Sequence, residues 1–304
     1  NMNVDKIQID AASPSSLSLF LDDFKQLTKV RLALSVVFSS IAGYLLAADV
    51  PVLTDMILLA FGGYFMVGAS NAFNQVIEKD LDALMNRTKN RPLPSGRMSV
   101  QSALVIAGIL TILGLLVLYT INTRTAFFGG LSIFLYVCVY TPLKTRTPLA
   151  VFVGAFPGAI PFMLGWVAYS DQFGIEPGVL FMIQFFWQFP HFWAIGWMLD
   201  DDYKKAGFKM LPSGKADKAT AFQIVFYTLW MLVISLLPVT AFTGSFNLSM
   251  VGAIIVGILG LIMLYFALQL MFLKTKEAAK KLMFSSVGYI TLVQIIYVID
   301  KMIL

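Results

Sequence analysis

Residues 52–82, VLTDMILLAFGGYFMVGASNAFNQVIEKDLD, decide the fold class. Up to Val76 the only charge is Asp55; then Glu78, Lys79, Asp80 and Asp82 follow within five positions. An α-helix needs about 20 consecutive apolar residues to cross the hydrocarbon core of a bilayer. A lone strand there would leave its backbone groups unpaired, so helix is the expected state. Blocks of the same kind occupy 30–48, 52–76, 101–120, 126–140, 148–169, 177–198, 221–242, 249–272 and 284–300, the one at 126–140 being short. The reading is an all-α polytopic membrane bundle of about nine transmembrane helices.

Composition agrees. Hydrophobic residues make up 58% of 304 positions and charged residues 13%, about half the charge that a soluble surface carries. The net charge of +5 does not point to nucleic acid, because the basic residues sit in short loops between apolar blocks rather than on a basic, aromatic-bearing face. With an N-terminus on the cytoplasmic side and nine crossings, twenty of the 22 basic residues fall in cytoplasmic segments, leaving only Arg124 and Lys301 outside. The positive-inside tendency therefore predicts N-in, C-out. Residues 1–28 lack a basic-then-apolar start, so neither a cleavable leader nor a mitochondrial presequence is expected, and the placement that follows is a bacterial cytoplasmic membrane. Cys138 is the single cysteine, which excludes an internal disulfide. Leu17, Phe20, Leu21, Phe24 and Leu27 recur at helical spacing before the first crossing. They divide the chain into a segment 1–29 with an interfacial amphipathic helix and a single transmembrane domain 30–304.

Chemistry gathers on the cytoplasmic side. Asn74, Glu78 and Asp82 are spaced i, i+4, i+8, which aligns three oxygen-bearing side chains on one helical face. Such a set suits Mg²⁺, a hard cation that prefers oxygen and commonly bridges to phosphate. The next loop brings Arg87, Lys89, Arg91 and Arg97, and the guanidinium fork matches phosphate geometry. Acids for a metal beside bases for phosphate suggest a diphosphate site; a solvated helix end next to a topology-setting basic loop is the plain alternative. A second cluster holds Trp187, Gln188, Pro190 and His191, then Asp200, Asp201, Asp202 and Tyr203. His191, the only histidine, could ligate haem iron, transfer a proton, or merely hydrogen-bond beside Gln188. The acidic run could cap a loop or hold a second metal. Between the clusters lies the basic turn from Tyr140 through Lys144 and Arg146 to Pro148, and then a Gly- and Pro-rich crossing, 154–166. That crossing serves either close packing or a widened cavity.

At these residues the chain resembles the UbiA superfamily of membrane prenyltransferases, and within it the branch that farnesylates protohaem IX, the haem O synthases. The first acidic motif and its loop run from Asn74 to Gly96. The central loop is Tyr140 to Lys144 with Thr147-Pro148. The stretch that separates haem enzymes from quinone prenyltransferases includes Trp187-Gln188, Pro190-His191-Phe192, Asp201-Asp202-Tyr203, Ala206-Gly207 and Met210-Leu211-Pro212. Glu78 stands where many relatives place Asp, and the second acidic motif is contiguous rather than spaced.

The resemblance implies a UbiA-type helical bundle around a cavity open to the cytoplasm. Farnesyl diphosphate would be the donor, haem B the acceptor and Mg²⁺ the cofactor, with haem O passing on to haem A synthase or a terminal oxidase. By position, Asn74, Glu78, Asp82, Asp201 and Asp202 would hold metal. Asn74, Glu78, Asp82, Lys144 and His191 would carry the chemistry. Arg87, Lys89, Arg91, Arg146, Tyr140, Gln188 and Tyr203 would bind substrate. A quinone-precursor prenyltransferase and a membrane transporter are the alternatives. The transporter reading is weakened because the polar groups gather at one face rather than at the midplane.

Overall fold

A computed structural model describes residues 15–304; residues 1–14 of the expected 1–29 segment, with Lys6, lie outside them. The described chain is helical, with no strand among the described residues. Helix α1 (Ser16–Thr28) leads directly into α2 (Val30–Ala47) through Lys29; α3 (Leu53–Ile77) continues after a break at Glu78 as the single turn α4 (Lys79–Asp82). Then come α5 (Val100–Ile121) and α6 (Thr123–Phe134). A π-helical turn, Leu135–Tyr140, carries α6 into the short α7 (Thr141–Leu143). The remaining helices are α8 (Leu149–Ser170), α9 (Ile175–Met198), α10 (Asp200–Ala206), α11 (Lys218–Leu236), α12 (Met250–Leu273) and α13 (Lys276–Ile303).

Eight segments among the described residues are long and apolar enough to cross a membrane: α2, α3, α5, α6 through α7, α8, α11, α12 and α13. Helix α9 spans 24 residues, but Gln184, Gln188, His191 and three tryptophans make it more polar. It can be so because its neighbours are protein: α9 packs against α8, α11 and α13, and Gln184 and Gln188 are buried. The nine expected blocks thus correspond to nine long helices. The short block at 126–140 reaches crossing length because the π-helical turn prolongs it to 123–143.

Helix α8 is the central stave. Within its apolar window 72% of residues are buried, against 17–50% for the other seven spans. It meets α2 backbone to backbone: a Cβ on Gly43 would lie 2.0 Å from the Phe162 carbonyl oxygen, and one on Gly165 would lie 1.8 Å from that of Ser40. Small residues at such a seam let membrane helices gain packing contacts that lipid cannot supply. A buried polar strand reinforces it. Gln184 Nε2 donates to Ser39 Oγ (3.2 Å), Ser39 Oγ bonds Gln294 (3.2 Å), and Gln184 Oε1 accepts from the Phe162 amide (3.1 Å), linking α2, α8, α9 and α13.

The basic loops collect at one end of the bundle, where the hydrogen bonds described below join them. The two exceptions to the charge pattern work at the other end. Lys301 Nζ donates to the carbonyls of Leu45, Leu46 and Ala48, at the negative end of the α2 dipole. Arg124 pairs with Asp171 at 3.1 Å. The amphipathic spacing before the first crossing materialises as α1, with Leu17, Leu19, Phe20 and Leu21 exposed.

Gly165→Ala should lower the stability of the detergent-solubilised protein by about 1–3 kcal/mol, as overpacking a tight contact does. Gly257→Ala in α12, where an added Cβ meets nothing within 4 Å, should leave thermal unfolding unchanged or raised.

Candidate active site

Asn74, Glu78 and Asp82 end up together despite the break in their helix. Residue 78 leaves helical geometry (φ −94°, ψ 8°). The i→i+4 bonds nevertheless continue across it, with the Glu78 amide on the Asn74 carbonyl (2.9 Å) and the Asp82 amide on that of Glu78 (2.7 Å). The three side chains therefore keep one face and are all but buried, at 1%, 3% and 1% exposure. They line a cavity of about 340 Å³ formed by α2, α3, the π-helical turn, α8 and α9, within the size range of small-molecule sites. Apolar walls come from Leu32, Val36, Val67, Val151 and Pro161, and Arg87, Arg91 and Lys144 supply cations at the loop end.

Both carboxylates have a cation. Lys144 Nζ donates to Glu78 Oε1 at 2.8 Å, and Arg91 Nη1 to Asp82 Oδ2 at 2.8 Å. Burial opposes the Lys144 ammonium, but the Glu78 carboxylate prevails and holds its pKa above the ordinary lysine value. Tyr140 and Phe208 also lie under that ammonium, 5.2 and 4.8 Å from ring centre to Nζ, a cation–π arrangement. Burial pushes the Asp82 carboxyl above its usual range, with Arg91 pulling the other way. Lys29 lines the same cavity; burial, then the charges of Arg91 and Lys144, bring its pKa down to about 7.

The π-helical turn orients Asn74. Thr141 Oγ1 donates to the Tyr136 carbonyl five residues back (2.8 Å), so toward Asn74 it presents a lone pair, which accepts from Nδ2 at 3.2 Å. The Asn74 carbonyl oxygen is left for the cavity. Among the described residues no cluster of three or more His, Cys, Asp and Glu side chains could hold a metal ion. The first-motif set is instead two acids and an amide, all oxygen donors. Asp82 Oδ1 is buried with no hydrogen-bond partner, as an oxygen awaiting a hard cation would be, so the residues fit Mg²⁺.

Other expected residues divide. Tyr140, Gln188 and Tyr203 line the cavity. Gln188 Nε2 is tied to the Ala155 carbonyl (2.8 Å), and only a glycine at 158 leaves it room. Lys89 and Arg146 are exposed and outside the lining: Lys89 reaches Asn86, and the Arg146 carbonyl accepts from Lys209. The second acidic run is likewise outside. Asp201 is 75% exposed and pairs with Lys276, while Asp202 accepts the amides of Asn86 (2.8 Å) and Arg87 (3.0 Å). Contiguous acids on one helical turn point in different directions; Asp200 turns to Lys204 (2.7 Å). None of the three shares the first motif's cavity, so the geometry gives no support for Asp201 and Asp202 as metal ligands. His191 is not a lining residue either, though its neighbour Phe192 is. Its ring stacks on Trp187 (4.6 Å) and meets Ser286 Oγ of α13 at 2.7 Å. Ser286 spends its own proton on the Met283 carbonyl (2.6 Å), so Nδ1 carries the hydrogen and Nε2 the lone pair. Sequence reasoning passed over Lys29, Thr141 and Tyr136. Lys29 was indistinguishable from the topology-setting charges, and the other two depend on a π-helical turn that hydrophobic periodicity does not reveal.

Residues 36–288 match the model of the UbiA prenyltransferase family. The chain belongs to that family. A protoheme IX farnesyltransferase of Christiangramia forsetii is 68% identical, covering 93% of this chain and 94% of its own length. One from Flavobacterium psychrophilum is 64% identical over 95% and 97%. A solved digeranylgeranylglyceryl phosphate synthase superposes with a TM-score of 0.77 at 20% identity, covering 93% of this chain and 99% of its own. A UbiA homologue from Archaeoglobus fulgidus bound to GPP and Mg²⁺ gives 0.65 at 13% identity, over 91% and 99%. These two share the fold. The protein is a multi-pass, membrane-embedded prenyltransferase.

Removing one member of a buried ion pair strands the other charge, at about 3–5 kcal/mol. Lys144→Met should therefore destabilise the protein markedly in thermal or denaturant unfolding, and adding Glu78→Gln should restore much of the loss. Equal, additive losses would show that the pair carries no coupling.

Proposed function

We propose that this UbiA-family enzyme transfers the farnesyl group of farnesyl diphosphate to a vinyl group of haem B. Water is added, and haem O and diphosphate are released. The observation that carries this reading is the convergence of Asn74, Glu78 and Asp82 with Arg87, Arg91 and Lys144 on one apolar-walled cavity. It is supported by relatives at 60–68% identity named protoheme IX farnesyltransferase.

Asn74, Glu78 and Asp82 would hold Mg²⁺, which when bound supplies positive charge against the departing diphosphate. Arg91 and Lys144, now paired with the two carboxylates, exchange those partners for phosphate oxygens, and Arg87 adds a third cation. Fixed charges in a site with little competing water stabilise the negative charge that develops as the allylic C–O bond breaks. The apolar wall from Leu32 to Pro161 takes the prenyl chain and excludes water from the cationic carbon until the haem vinyl attacks it. Water then captures the resulting cation and yields a proton to the released diphosphate, leaving the hydroxyl. Tyr140, Gln188 and Tyr203 bound the acceptor side. Asp202 serves by fixing the Asn86–Arg87 turn. His191, outside the cavity lining but next to its member Phe192, would ligate the haem iron or position the haem. The basic end of the bundle faces the cytoplasm in a bacterial inner membrane, and α1 lies along that leaflet.

With labelled farnesyl diphosphate and haem B in membranes, Asp82→Ala should reduce haem O formation by about 10²–10³-fold, whereas Asp201→Asn should reduce it by less than threefold. Full activity of Asp82→Ala at ordinary Mg²⁺ would exclude the metal assignment. His191→Ala should change the haem absorption spectrum of the purified protein; an unaltered spectrum and turnover would reduce the residue to packing against Trp187 and Ser286.

A further inference from the structure

Lys29 is the single residue between α1 and α2 and adopts the left-handed conformation, φ 51°, ψ 60°. Side chains other than Gly, Asn and Asp rarely occupy that region, so the turn needs external support. Two buried side chains of α3, a half-buried tyrosine of the same helix and one side chain of α1 provide it. Asn71 Nδ2 donates to the Thr28 carbonyl at 3.0 Å, and Gln75 Nε2 to those of Gln26 and Leu27, both at 3.0 Å. Thr28 Oγ1 meets Tyr64 Oη at 3.1 Å. From the loop side, Arg97 clamps α1 through Asp23 (2.9 Å) and Gln26 (3.2 Å).

All this fixes where one ammonium points. Lys29 lines the cavity that holds Asn74, Glu78 and Asp82. Four cations border that cavity and two carboxylates do. Arg91 and Lys144 take the carboxylates, so among the described residues the side chains of Lys29 and Arg87 have no ion-pair partner. A cavity bordered by two basic side chains without carboxylate partners, Lys29 half-buried and Arg87 exposed, is a seat for an anion, whose charge would favour the protonated amine. We propose that Lys29, together with Arg87, is a direct contact to the diphosphate, and that Asn71 and Gln75 are positioning residues whose amides hold its turn. The inference rests on the diphosphate reading above and adds to it the residues that join α1 to the site.

The left-handed turn supplies a clean test. Asn tolerates this conformation better than Lys, so Lys29→Asn removes the ammonium while keeping or improving the fold. In purified protein, isothermal titration with inorganic pyrophosphate in Mg²⁺-containing buffer should show at least tenfold weaker binding for Lys29→Asn. Thermal unfolding should be unchanged or raised. Lys29→Arg should bind within about threefold of the parent, the range separating a retained charge from a lost charged hydrogen bond. In turnover, Lys29→Asn should raise KM for farnesyl diphosphate more than it lowers kcat. Asn71→Leu should also weaken pyrophosphate binding, and combined with Lys29→Asn it should weaken it no further. Additive losses would make Asn71 merely structural. Lys25→Gln, one turn earlier and exposed beside Asp22, should bind as the parent does. Undiminished pyrophosphate affinity in Lys29→Asn would overturn the inference and leave the diphosphate site standing. Absence of pyrophosphate binding in the parent protein would overturn both.

Discussion

A carboxylate almost sealed from water remains an anion only beside a cation, and this protein places two of them at one end of its bundle. Glu78 and Asp82 are held there by Lys144 and Arg91. Each pair joins a helix end to a loop, one 66 residues away in sequence and the other only 9. The loop after α4 and the turn after α7 are thereby fastened to the same acids. Buried ion pairs are poor sources of net stability, since desolvation offsets most of the attraction. They are effective at fixing charges in place: Arg91 and Lys144 are held at the cavity by the two acids they neutralise.

Around this arrangement the bundle divides the work by solvent. Helices α5, α6, α11 and α12 bury the smallest shares of their apolar windows and present the rest to lipid. Helices α8 and α9 lie inside, where prolines, glycines, glutamines and tryptophans become affordable because neighbouring protein satisfies them. The second acidic run belongs to the loop layer. Asp202 accepts two amides of the Asn86–Arg87 turn, so it shapes the site from behind.

The fold was legible because lipid imposes simple rules. Apolar length marked every crossing except the exact reach of α6, whose end depends on a π-helical turn that leaves no trace in a 3.6-residue pattern. Loop charge ordered the ends, and the two basic residues that broke the pattern, Arg124 and Lys301, have local partners of their own. In the site, the spacing of Asn74, Glu78 and Asp82 was enough, because backbone bonds run across the break at Glu78. The adjacent acids Asp200, Asp201 and Asp202 looked equivalent in sequence, yet one helical turn aims them at Lys204, Lys276 and the Asn86–Arg87 amides. Lys29 was hidden for the opposite reason: a lysine at a membrane edge is usually only a topology signal, and its direction follows from a left-handed turn held by distant amides.

The contact between α2 and α8 has a mechanical corollary. Where main chains touch at Gly43 and Gly165, no rotamer can yield, so that flank of the cavity is rigid. Helix α6, whose apolar window is the least buried of the eight spans, packs on the same α8 and borders the cavity through Ser132 and, in the π-helical turn, Tyr136. The bundle thus has one seam whose spacing is set by main chain alone, and changes of rotamer cannot adjust its width there.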